Sequence, residues 1–216
     1  MRTFRTHMLA TLRQSEEAQA ADLTAEVFVE DPFWQIVIPG SPNRRRRLVA
    51  RQARLELSVA RRSGRPGMAI RRGIEVVALG LWHPRPPGRR PRFPALANPP
   101  LWLAGPGALR RALRIDSLVD ELTPEHPHLY LSELAVATPV RRQGLGGTLV
   151  RAAIDEAQGT GLPVHLETFR EENLHFYARF GFAVTGEREL PGGHRLWVLD
   201  RPRPGSSGVG RRRPDR

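Results

Sequence analysis

Three glycines, Gly144, Gly146 and Gly147, follow Arg141, Arg142 and Gln143 in the segment LYLSELAVATPVRRQGLGGT, residues 129–148. Glycine permits unusual dihedrals and close approach of a ligand to the backbone. A helix start leaves unpaired N–H donors at its positive dipole end. Together they offer anion binding, most often of a phosphate. The plain alternative is a tight strand-to-helix turn that merely needs glycine. The dinucleotide spacing G-x-G-x-x-G is absent, and the GK[ST] ending of the nucleotide P-loop is excluded because the chain has no Lys. A second chemical cluster lies in ETFREENLHFYARFGF, residues 167–182. On a helix, Asn173 and Tyr177 share one face, while Phe176 and Phe180 share a neighbouring face suited to the core. Tyr177 is then free to meet a ligand, a structural hydrogen bond being the competing use of its hydroxyl.

The elements that must position these residues are readable. Tyr130–Val136 carries β-favouring residues in alternation and predicts a strand. Pro139 stops it, and a helical pattern begins at about Thr148. Alternation places Tyr130, Ser132, Leu134 and Val136 on one face and Glu133 on the other. Upstream, Met8–Gln14 predicts a short strand, and Ser15 caps a helix that Asp31-Pro32 ends. Phe33–Gly40 reads as an apolar loop. Asn43 caps a helix over about Arg44–Arg61, with Leu48, Leu55 and Val59 as its buried stripe. Met68–Arg71 and Glu75–Trp82 predict an antiparallel hairpin, with Gly80 marking a bulge or close approach. Pro-rich His83–Pro100 predicts a loop, and Leu101–Leu122 one or two helices. Val164–Glu167 predicts a strand, Glu172–Phe180 a helix, and Phe182–Glu189 with His194–Leu199 a closing hairpin.

The run R-x-x-G-x-G after L-A-V, here Arg141–Gly146, resembles the acyl-CoA pyrophosphate loop of the GNAT N-acetyltransferases. The same family places an Asn, a Tyr and a Gly-Phe downstream, matching Asn173, Tyr177, Gly181 and Phe182. The stretches EDPFWQIVIPG, ALGLWHPRP and LETFREENLHFYARFGFAVTGERELPGGHRLWVL are similar to the puromycin N-acetyltransferase-like subgroup.

The resemblance implies an α/β (α+β) GNAT fold: a mixed, mostly antiparallel sheet with splayed central parallel strands and helices on both faces. It implies one domain over 1–203 with an insertion at 83–125 that covers the acceptor pocket. It also implies binding of acetyl-CoA by Leu134, Ala135, Val136, Arg141, Arg142, Gln143, Gly144, Leu145, Gly146, Gly147, Thr148, Asn173 and Tyr177, with the Val136 N–H as oxyanion donor. Acceptor-pocket candidates are Phe33, Trp34, Trp82, Tyr130 and Ser132, with core packing as the alternative for the aromatic ones. The catalytic residue is Tyr177. A thiol titrates near about 8.5 and a tyrosine near about 10, so a phenol can share its proton with a leaving thiolate at neutral pH. The general base is open: Glu133 suits the chemistry but points away by alternation, and His128 and Glu167 are undistinguished.

Composition bounds the rest. The 216 residues are 40% hydrophobic, enough for a core, and contain no cysteine, so no disulfide or thiolate chemistry arises. MRTFRTHMLATLRQ has no apolar core of a secretory signal, and no apolar run reaches the ~20 residues of a membrane span. No metal site and a cytoplasmic setting are expected. The net charge of +12 comes from dispersed arginines, which read as solvated faces that also attract an anionic cofactor. The expected partner is a small-molecule amine, with a homodimer as a candidate assembly. Peptide acetylation, or a non-catalytic role in binding CoA or nucleic acid, is the alternative. Residues 204–216 read as a disordered basic tail.

Overall fold

The computed structural model describes residues 7–87 and 99–203; the basic tail and most of the Pro/Arg-rich loop lie outside them. Seven strands form one open sheet: β1 (Met8–Thr11), β2 (Met68–Arg72), β3 (Glu75–Arg85), β4 (His128–Val136), β5 (Val164–Thr168), β6 (Ala183–Glu189) and β7 (Arg195–Arg201). Their order is β1-β2-β3-β4-β5-β7-β6. Among the described strands only β4 and β5 pair in parallel. The helices are α1 (Glu17–Phe28), α2 (Pro32–Val37), α3 (Pro42–Arg62), α4 (Pro99–Leu103), α5 (Pro106–Leu122), α6 (Leu145–Thr160) and α7 (Glu172–Ala178). One face of the sheet carries α1 and α3, whose Ala20, Leu23, Ala53 and Leu57 pack on Ala69, Leu79 and Ala135. The opposite face carries α6 and α7, where Val150, Ile154 and Tyr177 pack on Leu129, Leu131 and Leu166. Burial of these apolar side chains, about 1.5–3 kcal/mol for each Leu, Val or Ile and less for Ala, holds both layers on the sheet.

One irregularity governs the site. Opposite β3, Leu81 faces Glu133 and Trp82 faces Leu131, so Ser132 is an extra residue in β4. A bulge of this kind exchanges the faces of the strand beyond it. Leu129 and Leu131 pack toward α6 before it, and Leu134 and Val136 do so after it. Tyr130 and Leu134 therefore lie on opposite faces, contrary to simple alternation, and Glu133 turns toward α1. Gly80 sits beside the bulge: a Cβ there would stand 2.8 Å from the Trp82 ring and 3.3 Å from Leu149.

Other expectations shift for local reasons. Ser15 lies in a short 3-10 turn that precedes α1, and Glu16 instead accepts from the Arg13 N–H. Phe33–Gly40 is not a loop throughout: Asp31 accepts from the Phe33 N–H at 3.0 Å, Pro32 takes the first helical position, and α2 forms. Ser41 rather than Asn43 caps α3. The arginine run that opens α3 is not merely a solvated face, because Arg45 is buried, donates to the carbonyls of Val29 and Ile38, and pairs with Glu30. The inserted helices α4 and α5 pack on Val37, Ile38 and Leu48, and Arg111 donates to the Val37 carbonyl. They brace α2 from behind; their described residues line neither of the two cavities described below.

Candidate active site

The pairing of β4 with β5 is confined to Leu129↔Val164 and Tyr130↔His165, reinforced by the Leu129 N–H to the Pro163 carbonyl. Beyond these residues the parallel strands part. Two cavities open around the parting, and they share Phe28, Asp31, Leu134, Asn173 and Tyr177 as a common wall.

The larger is a cleft of about 880 Å³ that runs from Leu134 and Val136 to the glycine loop. The loop combines Arg142 at φ 62° with Gly144 at φ 84°, successive turns that aim backbone N–H groups at one point. The helix begins at Leu145, three residues earlier than its sequence pattern suggests. Its first bond runs from the Thr148 N–H to the Gly144 carbonyl at 3.0 Å, so the N–H groups of Leu145, Gly146 and Gly147 precede the intrahelical ladder. Arg141 and Arg142 line the same cleft. Gly146 and Gly147 also let α6 approach α7 and the turn after it: an added Cβ would stand 3.4 Å from Phe176 and 3.0 Å from Phe180, respectively. Of the expected cofactor residues, Gln143 and Thr148 do not line the cleft. Ala135 packs in the α1–α3 core, leaving only its backbone near the wedge.

The smaller cavity, about 120 Å³, is walled by Phe28, Phe33, Trp34 and Phe169 and by the polar residues Thr24, Gln52, Glu56, Ser132, Glu133 and Glu167. Phe33 meets Trp34 edge-on at 5.0 Å and Phe169 at 5.4 Å. Ser132 donates to the Leu81 carbonyl at 3.0 Å. Glu133 accepts from the Thr24 hydroxyl and Glu167 from the Tyr130 hydroxyl. Of the five acceptor-pocket candidates, Phe33, Trp34 and Ser132 line this cavity and two do not. Trp82 is buried beneath α6 and hydrogen-bonds Glu156 at 2.8 Å. Tyr130 lies behind Glu167 with the Arg85 guanidinium 4.2 Å over its ring, and it lines neither cavity. His128 likewise lines neither.

Tyr177 stands at the junction. Its ring packs against Phe176 and Phe182. Among the described residues its hydroxyl meets no hydrogen-bond partner, so its structural use as a tether is not seen. Burial, with the nearby charge of Glu167, pushes the phenol above its ordinary range. Asn173 donates to Thr168 at 2.9 Å and holds the start of α7 against the end of β5. Gln52 and Glu56 line the small cavity without being among the sequence candidates. The available signal was a glutamine inside the apolar stripe of α3.

Comparison with known proteins agrees with this geometry. Residues 110–182 match the Acetyltransferase (GNAT) family. The fold superposes on the crystal structure of histone acetyltransferase HPA2 and related acetyltransferase from Corynebacterium glutamicum, with TM-score 0.64, 20% identity, and coverage of 94% of this chain and 99% of that one. It also superposes on arylalkylamine N-acetyltransferase 2 from Aedes aegypti (TM-score 0.62, 11% identity, 91% and 99% covered). A third match is an agmatine N-acetyltransferase variant (0.61, 13%, 90% and 98%). Residues 110–182 thus carry the match to the Acetyltransferase (GNAT) family, and the described chain shares the fold of these acetyltransferases. Among the described residues no helix is long and apolar enough to cross a membrane.

Proposed function

We propose that this protein transfers the acetyl group of acetyl-CoA to a primary amine of a small molecule by direct attack in a ternary complex. The observation that carries the reading is the wall shared by the two cavities. A donor in the large cleft and an amine in the small cavity meet at Leu134 and Tyr177. The cleft suits the donor: arginines and helix-start N–H groups answer a diphosphate, and the unpaired stretch of β4 offers backbone partners to an amide-bearing arm. Acetyl-CoA supplies the thioester electrophile. Leu134 and Val136 orient it, and the Val136 N–H faces the developing oxyanion.

The acceptor ammonium must lose a proton before it attacks. Glu133, brought into the cavity by the bulge at Ser132, takes that proton. A C–N bond then forms as the C–S bond breaks; Tyr177 gives its proton to the departing sulfur and is reprotonated by the second proton that the nitrogen loses on becoming an amide. A protonated phenol is required for this, which is what burial and Glu167 maintain.

A cavity of about 120 Å³ under an aromatic cover supports a small acceptor over a peptide chain. The resemblance to puromycin N-acetyltransferase-like proteins supports an antibiotic-like or aminonucleoside amine, but a fold does not fix an acceptor. The test is release of coenzyme A thiol from acetyl-CoA with a panel of amines, puromycin and short peptides. Turnover with small amines is expected. Turnover confined to peptides, or thiol release with no acceptor at all, overturns the reading.

A further inference from the structure

We infer that the acceptor is a compact dication: beside the amine that is acetylated it carries a second positive centre, held by Gln52 and Glu56 at the α3 wall of the small cavity. The inference rests on the acetyltransferase reading above and deepens it.

Gln52 is 2% exposed and lines the cavity. Its side-chain N–H donates to Glu56 Oε1 at 2.9 Å. That bond fixes which end of the amide is oxygen, because a carboxylate accepts and cannot donate. Among the described residues the Gln52 Oε1 then has no hydrogen-bond partner. A buried carbonyl left this way is costly, and native structures retain few such groups. A glutamine oxygen beside a carboxylate is an acceptor-only pair, and its natural complement is a donor-only group, an ammonium or a guanidinium.

The rest of the lining agrees. Among the described residues it includes Asp31, Glu56, Glu133 and Glu167 and no basic side chain, in a chain of net charge +12. Asp31 is engaged by Arg170 at 3.4 Å and serves the fold. Glu133 and Glu167 stand with Tyr177, where the reacting amine must lie. Gln52 and Glu56 come from a different element, α3, and have no part in the transfer. One ammonium has three donors, fewer than the acceptor positions that these four side chains present. The aromatic walls of the cavity, Phe28, Phe33, Trp34 and Phe169, suit a short methylene chain and add attraction for a cation over a ring face. A carboxylate on the acceptor would meet this acidic lining and be repelled.

The test uses the full chain, acetyl-CoA, and three acceptors: 1,4-diaminobutane, 1-aminobutane and ornithine. A hydrogen-bonded cation in a desolvated site predicts kcat/KM for the diamine about 10- to 100-fold above the monoamine. Ornithine, the same diamine with a carboxylate, falls well below it. In Glu56→Gln, and in Gln52→Leu, the diamine-to-monoamine ratio falls to within about 3-fold of one. Glu56 is only half-buried, so its isosteric variant keeps the test valid if Gln52→Leu does not fold. A wild-type ratio near one with both amines acetylated overturns the second-cation site alone, as does a ratio that survives in Glu56→Gln. Coenzyme A binding with no acetylation of any amine overturns the acceptor reading and this inference with it.

Discussion

The hydroxyl of Thr24, on α1, hydrogen-bonds the carboxylate of Glu133, on β4. The contact exists because Ser132 is an extra residue in the strand; without the bulge Glu133 would point toward α6. Glu133 is thereby presented to the small cavity while Leu134, its neighbour, faces the wall common to both cavities. Glu133→Gln keeps the shape and the hydrogen-bonding size but cannot take a proton. We expect kcat to fall by about 10² to 10⁴, with coenzyme A affinity within about 3-fold of wild type. Steady-state kinetics with calorimetric titration of coenzyme A checks this. A mutant with normal kcat removes Glu133 from the role of base.

Tyr177 offers a separable test at the other end of the reaction. Tyr177→Phe removes only the hydroxyl and leaves the ring contacts with Phe176 and Phe182. Turnover should drop by about 10² to 10⁴ while coenzyme A binding and thermal stability stay near wild type. Because burial and Glu167 hold the phenol above its ordinary value of about 10, wild-type kcat should not decline from loss of that proton between pH 8 and 9.5. A decline there that Tyr177→Phe abolishes would place the titration of Tyr177 in the ordinary range.

How much of this was legible in the sequence depended on whether the determinant was local. The glycine loop, Asn173 and Tyr177 were readable because turns and helix faces are set by residues a few positions apart. The face occupied by Glu133 was not. It depends on the register between β3 and β4, where Leu81 and Trp82 meet Glu133 and Leu131, and period-two alternation carries no sign of an inserted residue. Trp82 misled for the same reason: its position at the end of an apolar strand suited either face, and Glu156, 74 residues away, decided it. The short helix α2 escaped notice because six residues give little periodicity, although the Asp31-Pro32 pair is a helix start as much as a helix stop. Gln52 was visible as a polar residue amid Leu48 and Leu55, yet only its partner Glu56 and the cavity give it meaning.

The loop glycines should differ in what their loss costs. Gly144 adopts φ 84° with open space around its missing Cβ. Gly144→Ala therefore meets only the conformational penalty of the left-handed region, about 1–2 kcal/mol, which the loop can escape by turning its N–H groups away. We expect coenzyme A affinity to weaken by about 10-fold with a small change in melting temperature. Gly147 is different, because an added Cβ stands 3.0 Å from the Phe180 ring. Gly147→Ala should lower the melting temperature more than Gly144→Ala does, by forcing α6 from Phe180 in the turn after α7. Calorimetry with coenzyme A and thermal melts of both variants separate the two effects; equal losses of stability would contradict the assignment.

His128 predicts an acid-sensitive fold independent of catalysis. It is 1% exposed, its Nδ1 lies 2.9 Å from the His126 carbonyl, and its ring centroid lies 5.0 Å from that of His165. Burial pushes it down to about 4; the His126 carbonyl opposes the shift, and His165, Arg85 and His126 reinforce it. In the unfolded chain the same group titrates near about 6.5. Between those values the unfolded state binds more protons than the folded one, so stability rises with pH across the window and is lost as pH falls from about 6.5 toward 4. The loss amounts to about 3 kcal/mol over the whole window. Asp200, held low against its own burial by hydrogen bonds from His165 and Thr185, loses its contribution only at lower pH, so measurements at pH 7 and 5 isolate the histidine. Urea unfolding at those two values should show a clear drop for the wild type and a much smaller one for His128→Gln. An equal drop in both proteins would show that His128 is not the group responsible.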